Sequence, residues 1–183
     1  MARVQRISKG RVMKPNYFVF CEGDTEVVYV EMLRAYYRLP IHIIPKRTLL
    51  NITSSLINRI KSNYIETKSD KVFLMYDLDV PSVLDRLRKI PDATLLCSNP
   101  CVELWLLLHY AEQKSEISSV DCVAKLSRHI KNYKKGRLTV AENVFLMNSV
   151  NTACKRAMSL KPYGNPSTTI YELIAELERL RTR

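Results

Sequence analysis

The run Val72-Phe73-Leu74-Met75-Tyr76-Asp77-Leu78-Asp79 constrains this chain more than any other stretch. Five uncharged, largely apolar residues end abruptly in two acids one residue apart. Fed by Lys71 and followed by Val80-Pro81, the run reads as a buried strand of a parallel sheet. Side chains two apart on a strand point the same way, so Asp77 and Asp79 are expected to aim both carboxylates at one spot. Two such anions repel unless a cation lies between them, and Mg²⁺ favours hard oxygen ligands. The competing reading makes Asp79 a helix N-cap and Asp77 a strand cap.

The flanking sequence extends this into an alternating pattern. Tyr17-Phe18-Val19-Phe20-Cys21 reads as a central strand, stopped by Glu22-Gly23-Asp24-Thr25-Glu26. A helix capped by Asp24 or Thr25 then runs to about Tyr37 and ends at Pro40. Ile41-His42-Ile43-Ile44 is a second strand, closed by Pro45, and apolar spacing predicts a helix from Thr53 to about Ile65. After the 72–77 strand come a short helix over 82–90, capped by Ser82, a fourth strand over 94–98 and an apolar helix over 102–110. Four strands alternating with helices predict an α/β fold: a four-stranded, mainly parallel sheet flanked by helices. Beyond Ala111 the strand signal disappears. Helices are expected near 119–132, 140–159 and 168–181, the last capped by Ser167 or Thr168. The division is a basic flexible arm over 1–14, an α/β core over 15–112, and a helical, basic C-terminal part over 113–183 packed on the core.

Composition narrows the function classes. Four glycines leave no GxGxxG and no GxxxxGK[ST] phosphate loop. No apolar run approaches membrane-spanning length, and no apolar segment follows the basic N-terminal residues, so neither a membrane span nor a signal peptide is expected. Five scattered cysteines without a CxxC pair fit reduced thiols of a cytoplasmic chain rather than a zinc site. A formal charge of +11 favours a polyanionic partner, with nucleic acid first and plain solubility second.

Parallel topology gathers the acids. Ligand crevices of such sheets lie outside the carboxyl ends of the strands. Glu22 follows the first strand, Asp77 and Asp79 end the third, and Glu103 follows the fourth. Glu26 shares a helical face with Glu22. Glu22, Asp77, Asp79 and Glu103 are therefore the candidate catalytic residues. With Glu26 they are also the candidate ligands of one or two Mg²⁺ (or Mn²⁺) ions, an arrangement suited to phosphodiester hydrolysis. Glu22 and Glu26 read equally well as acids favouring a helix N-terminus. Glu103, set in Cys101-Val102-Glu103-Leu104-Trp105, needs a partner wherever it is buried.

These stretches carry a resemblance. Phe20-Cys21-Glu22-Gly23-Asp24-Thr25-Glu26 followed by Tyr76-Asp77-Leu78-Asp79 resembles the signature of the Toprim domain. Ser98-Asn99-Pro100-Cys101-Val102-Glu103-Leu104-Trp105-Leu106-Leu107-Leu108-His109 and Asn165-Pro166-Ser167-Thr168 resemble motifs of the RloB-like family. The resemblance spans about residues 15–175. It implies a Toprim-like fold and a metal-dependent nuclease of DNA or RNA, in related effectors transfer RNA. It also implies a role in phage defence and an ABC- or AAA-type ATPase partner; a homo-oligomer is compatible with it. The family often carries further acids after the D-x-D, where this chain has Val80-Pro81. That departure keeps open a catalytically silent module that binds nucleic acid or the ATPase.

Between Lys114 and Lys161 ten Lys/Arg face three Asp/Glu. Arg128, Lys131, Lys134, Lys135 and Arg137, with Tyr133 among them, are the candidate nucleic-acid contacts; Arg128, Lys131 and Lys135 would share one helical face. A solvated helix surface is the equal alternative. His109 reads as a proton shuttle or, more simply, as a helix-end histidine.

Overall fold

The computed structural model describes residues 13–48, 52–80 and 82–182. The basic arm expected over 1–14 falls outside these, apart from Met13 and Lys14, which are exposed. Four strands pair in parallel: β1 (Asn16–Cys21), β2 (His42–Arg47), β3 (Lys71–Asp77) and β4 (Ala93–Asn99). A two-residue strand, β5 (Ser167–Thr168), adds antiparallel to β4, giving the order β2-β1-β3-β4-β5. The helices are α1 (Asp24–Tyr37), α2 (Ser54–Lys61), α3 (Ser82–Leu87), α4 (Glu103–Tyr110), α5 (Ser119–Ser127), α6 (Val140–Met158) and α7 (Tyr171–Arg181).

Period-two alternation splits the strand residues between two cores. Tyr17, Val19, Cys21, Phe73, Met75 and Leu96 face one cluster, which α1 and α4 to α7 cover. Phe18, Phe20, Leu74, Tyr76 and Cys97 face the other, beneath α2 and α3. Helix α4 is apolar all round and is buried accordingly, with Leu104 to Leu108 sealed between the sheet and α5 and α6. Each such Leu contributes about 1.5–3 kcal/mol of burial. Among the described residues no helix is long and apolar enough to cross a membrane.

Several local expectations are corrected. Pro45 does not close β2 but lies within it, opposite Val19; β2 is an edge strand, where a missing N–H leaves no ladder partner orphaned. Neither Asp24 nor Thr25 caps α1: Gly23 occupies that position without a side-chain bond, and Arg38 (φ 48°) ends the helix in the left-handed region before Pro40. Helices α2, α3 and α5 stop earlier than their apolar spacing suggests. Ser167 and Thr168 do not cap the last helix. They pair with Asn99 and Ser98, and the Thr168 and Ser98 hydroxyls meet at 2.9 Å, so the C-terminal segment completes the sheet. A strand of two residues carries no readable periodicity.

Candidate functional site

The carboxyl ends of β1, β3 and β4 meet on one edge, and their acids meet with them. The Glu22 backbone N–H bonds the Met75 carbonyl, and its carboxylate Oε2 accepts from the Asp77 N–H at 3.1 Å. Asp77 Oδ1 in turn accepts from the Val102 N–H at 2.8 Å, tying β3 to the start of α4. Glu26 folds back over the turn, where a Cβ on Gly23 would stand 3.0 Å from its Oε2 and the carboxylate would have to shift slightly. Glu103 opens α4 and its side chain is fully buried. The Tyr133 hydroxyl donates to its Oε1 at 2.9 Å, and Lys135 Nζ stands 3.5 Å from its Oε2. Glu22, Glu26, Asp77, Glu103 and Lys135 line one cavity of about 270 Å³, with Arg47 at its edge. Larger hollows of about 560 and 630 Å³ lack this set of acids.

Asp77, Glu26 and Glu22 hold their protons more tightly than free carboxylates. Burial, and then the charges of Glu26, Glu22 and Glu103, push the Asp77 carboxyl up to about 9 against the opposing Val102 N–H. Glu26 rises to about 7, first through burial and then through Glu103 and Glu22, with its own backbone N–H opposing. Glu22 is raised too, again chiefly by burial. Burial alone would lower the Lys135 ammonium, but Glu103 and Asp77 outweigh it and the net shift is upward. Glu22, Glu26, Asp77 and Glu103 thus crowd around Lys135, with Arg86 also acting on Glu22 and Arg47 paired with Asp24 at the cavity edge.

The segment carrying Lys135 is anchored. The Gly136 N–H donates to Thr25 Oγ1 at 2.9 Å. Gly136 has φ +71°, and a Cβ there would stand 2.8 Å from the Asp24 Cβ, so both backbone and space call for glycine. This fixes Lys135 over the acids at the first turn of α1.

Of the five predicted acids, Glu22, Glu26, Asp77 and Glu103 come together and Asp79 does not. Asp79 is exposed and lies off the cavity lining, but its charge still acts on Glu22. Strand β3 ends at Asp77, Leu78 is buried in the second core with its N–H on the Ser98 carbonyl, and the chain then bends away. The expected Asp77–Asp79 convergence is replaced by convergence across strands.

The basic stretch is also corrected. Helix α5 ends at Ser127 with Arg128 as its C-cap, so Arg128, Lys131 and Lys135 share no helical face. Left-handed Asn132 (φ 60°) and Gly136 make the segment a series of turns. Lys135 joins the acid cavity. Arg128, Lys131, Lys134 and Arg137 remain exposed without an ion pair among the described residues. His109 is buried, with Nδ1 at 2.9 Å from the Trp105 carbonyl; burial lowers it to about 4, so it is neutral and gains nothing from the helix dipole as a charge.

Sequence reasoning missed Tyr133, Thr25 and Arg86 as parts of the site. Arg86 acts on Glu22, and its buried Nε and Nη2 lack hydrogen-bond partners among the described residues. Its signal, one arginine in a short helix after the acid-ended strand, is faint. Tyr133 reads as an aromatic among cations, and only the fold brings it 30 positions back to Glu103.

Divalent-ion ligation meets a mixed fit. Among the described residues no three Asp, Glu, His or Cys side chains form a ready ligand set, because Glu22, Asp77 and Glu103 are each turned onto a protein donor. Yet Glu103 Oε2 is buried without a hydrogen bond, its contact with Lys135 being long, and the surrounding donors are all hard oxygens. The donor chemistry fits a hard cation.

A family model described as RloB-like protein matches residues 17–177. No curated protein and no solved structure matches the chain.

Proposed function

For this chain, which belongs to the RloB-like family, we propose a metal-dependent phosphodiester nuclease of the Toprim type. One observation carries this reading: four carboxylates from three adjacent strand ends surround a single cavity with one lysine close among them. Glu22, Glu26, Asp77 and Glu103 would hold Mg²⁺ or Mn²⁺, which supplies positive charge to a phosphodiester and a more acidic water. The chain's own donors orient these acids: Val102 N–H on Asp77, Asp77 N–H on Glu22, Tyr133 on Glu103. Lys135 balances charge in the resting site and offers its ammonium to phosphate oxygens. Arg86, whose charge acts on Glu22, adds positive potential behind the acids. The resemblance adds a cytoplasmic phage-defence setting and an ABC- or AAA-type ATPase partner to the proposal.

A second reading, a catalytically silent module that binds nucleic acid or the ATPase, is favoured by the acids' engagement with protein donors and by Asp79 lying outside the cavity. Cleavage of mixed DNA and RNA with Mg²⁺ or Mn²⁺, with and without the ATPase, separates the two. Metal-dependent products that vanish in Glu103→Gln support the nuclease. Tight binding without products under every condition supports the silent module.

A further inference from the structure

The end of α4 opposite Glu103 carries a feature that hydrolysis alone does not use. His129, Tyr110 and Phe145 form a three-ring stack, with Tyr110 in the middle. The His129–Tyr110 centroids lie 5.1 Å apart at 19°, and the Tyr110–Phe145 centroids 4.4 Å apart at 12°. The residues at both ends of the stack are exposed, Phe145 at 42%. The turns that follow α5 form a groove of about 630 Å³, lined by Ile130, Lys131, Tyr133, Lys134, Arg137 and Glu142 among others. Ile130 follows His129 in the chain and the charge of Glu142 acts on Tyr110, so the groove lies near the stack although none of the three rings lines it. Tyr133 and Gly136, which lies beside Lys135, place one end of the groove at the acid cavity.

The charge of this strip is one-sided. No acid occurs from Cys122 to Ala141, and the side chain of Glu142 is turned onto the Thr139 N–H at 2.6 Å as a helix cap. Exposed cations along a groove that lies near an aromatic stack, and whose Tyr133 reaches Glu103 of the acid cavity, suit a chain of phosphates with unpaired bases. A base in a duplex has both faces covered and cannot extend a stack; an unpaired base can.

Building on the nuclease reading, we propose that the substrate is single-stranded nucleic acid, or an unpaired stretch of a folded one. One base extends the stack on Phe145, the following phosphates lie along Lys131, Lys134 and Arg137, and the bond to be cut reaches the acid cavity.

The test measures binding in EDTA, where nothing is cut, using a fluorescent oligouridylate and a duplex of the same length. Phe145→Ala should weaken binding of the single strand by roughly tenfold or more and leave the duplex unaffected. Phe145→Trp should keep the affinity, and its emission should be quenched on binding; Trp105 is fully buried and adds a constant background. Equal single-strand affinity for Phe145→Ala and wild type overturns the proposal, as does Phe145→Trp emission that ignores the oligonucleotide. The tryptophan variant decides the question if the alanine variant folds poorly. Failure of the wild type to bind any oligonucleotide also overturns it and reassigns the exposed Phe145, Val140 and Val144 surface to a protein partner. Metal-dependent, Glu103-sensitive cleavage of duplex that ignores Phe145 would leave the nuclease reading standing and sink this one alone.

Discussion

The two ends of the parallel sheet treat their carboxylates in opposite ways. At the amino end, Glu176 of α7 accepts from the Tyr17 hydroxyl at 2.5 Å, from Lys71 Nζ at 2.9 Å and from Arg179 at 2.7 Å. Despite burial, these donors hold it down at about 2. Asp70, just before β3, accepts from the backbone and side-chain amides of Asn16 and from Thr67, and is lowered as well. At the carboxyl end, Asp77 and Glu26 sit at about 9 and about 7 among other acids. The amino end stitches β1, β3 and α7 together. The carboxyl end stores unfavourable electrostatics that folding alone does not require, which is the usual condition of a site kept for a ligand.

The largest effect that separates the ends is expected from Asp77→Asn. Asparagine keeps an oxygen for the Val102 N–H but removes the charge available to a cation, so cleavage should drop by at least about 100-fold. Metal-free melting should hold steady or rise, because Asp77 is carried mainly as the neutral acid at neutral pH. A variant melting far below wild type without metal would make Asp77 a structural cap and erase the contrast.

The pH dependence is the next largest effect. Asp77 and Glu26 are raised in the folded chain, so the folded state binds more protons than the unfolded state between about pH 4 and pH 9, and metal-free stability falls as pH rises through that window. A loss of several kcal/mol is expected by equilibrium unfolding in EDTA, with a flatter profile in Mg²⁺. Glu176 runs the other way: its contribution is complete above its unfolded value near 4.5 and is lost as pH falls towards about 2. Stability that climbs from pH 5 to pH 9 without metal would contradict the picture of the carboxyl end.

How much of this was legible in the sequence follows the same divide. The four parallel strands show as apolar runs, and parallel order alone places Glu22, Asp77 and Glu103 on one edge. That logic is local to strand ends and works there. It overreached at Asp79, because period two says nothing about where a chain bends once the ladder stops. The amino end was unreadable: Glu176 looks like an ordinary surface acid of a C-terminal helix, and its partners Tyr17 and Lys71 lie more than 100 residues away. Tyr133 and Lys135 were visible as cation-rich sequence, but their turn geometry depends on Gly136 meeting α1, a contact without local pattern.

Glu176→Gln tests the amino end directly. With the carboxylate 13% exposed and three donors on it, and with screening discounted, a loss of about 1–2 kcal/mol is expected at pH 7. That is a fall of roughly 2–8 °C in melting temperature. Cleavage should be untouched. A cleavage defect without a stability loss would mean that the two ends are coupled, and the division between them would need redrawing.

The smallest effect is the sharpest discriminator. Lys135→Met removes the close cation from the acid cavity, and Lys71→Met removes one from Glu176. At pH 6 the Lys135 change should cost under about 1 kcal/mol of metal-free stability, since its side chain is 62% exposed and its neighbours Asp77 and Glu26 are largely protonated. Raising the pH to 9 ionises Glu26 and much of Asp77, so the missing ammonium should then be felt more. Glu176 is ionised across that whole range, so the Lys71 variant should lose the same amount at pH 6 as at pH 9. The measurement is a pair of unfolding curves for each variant in EDTA. Parallel pH profiles for the two variants would show that Lys135 holds an ordinary ion pair, and that its neighbouring acids are no more frustrated than the one on α7.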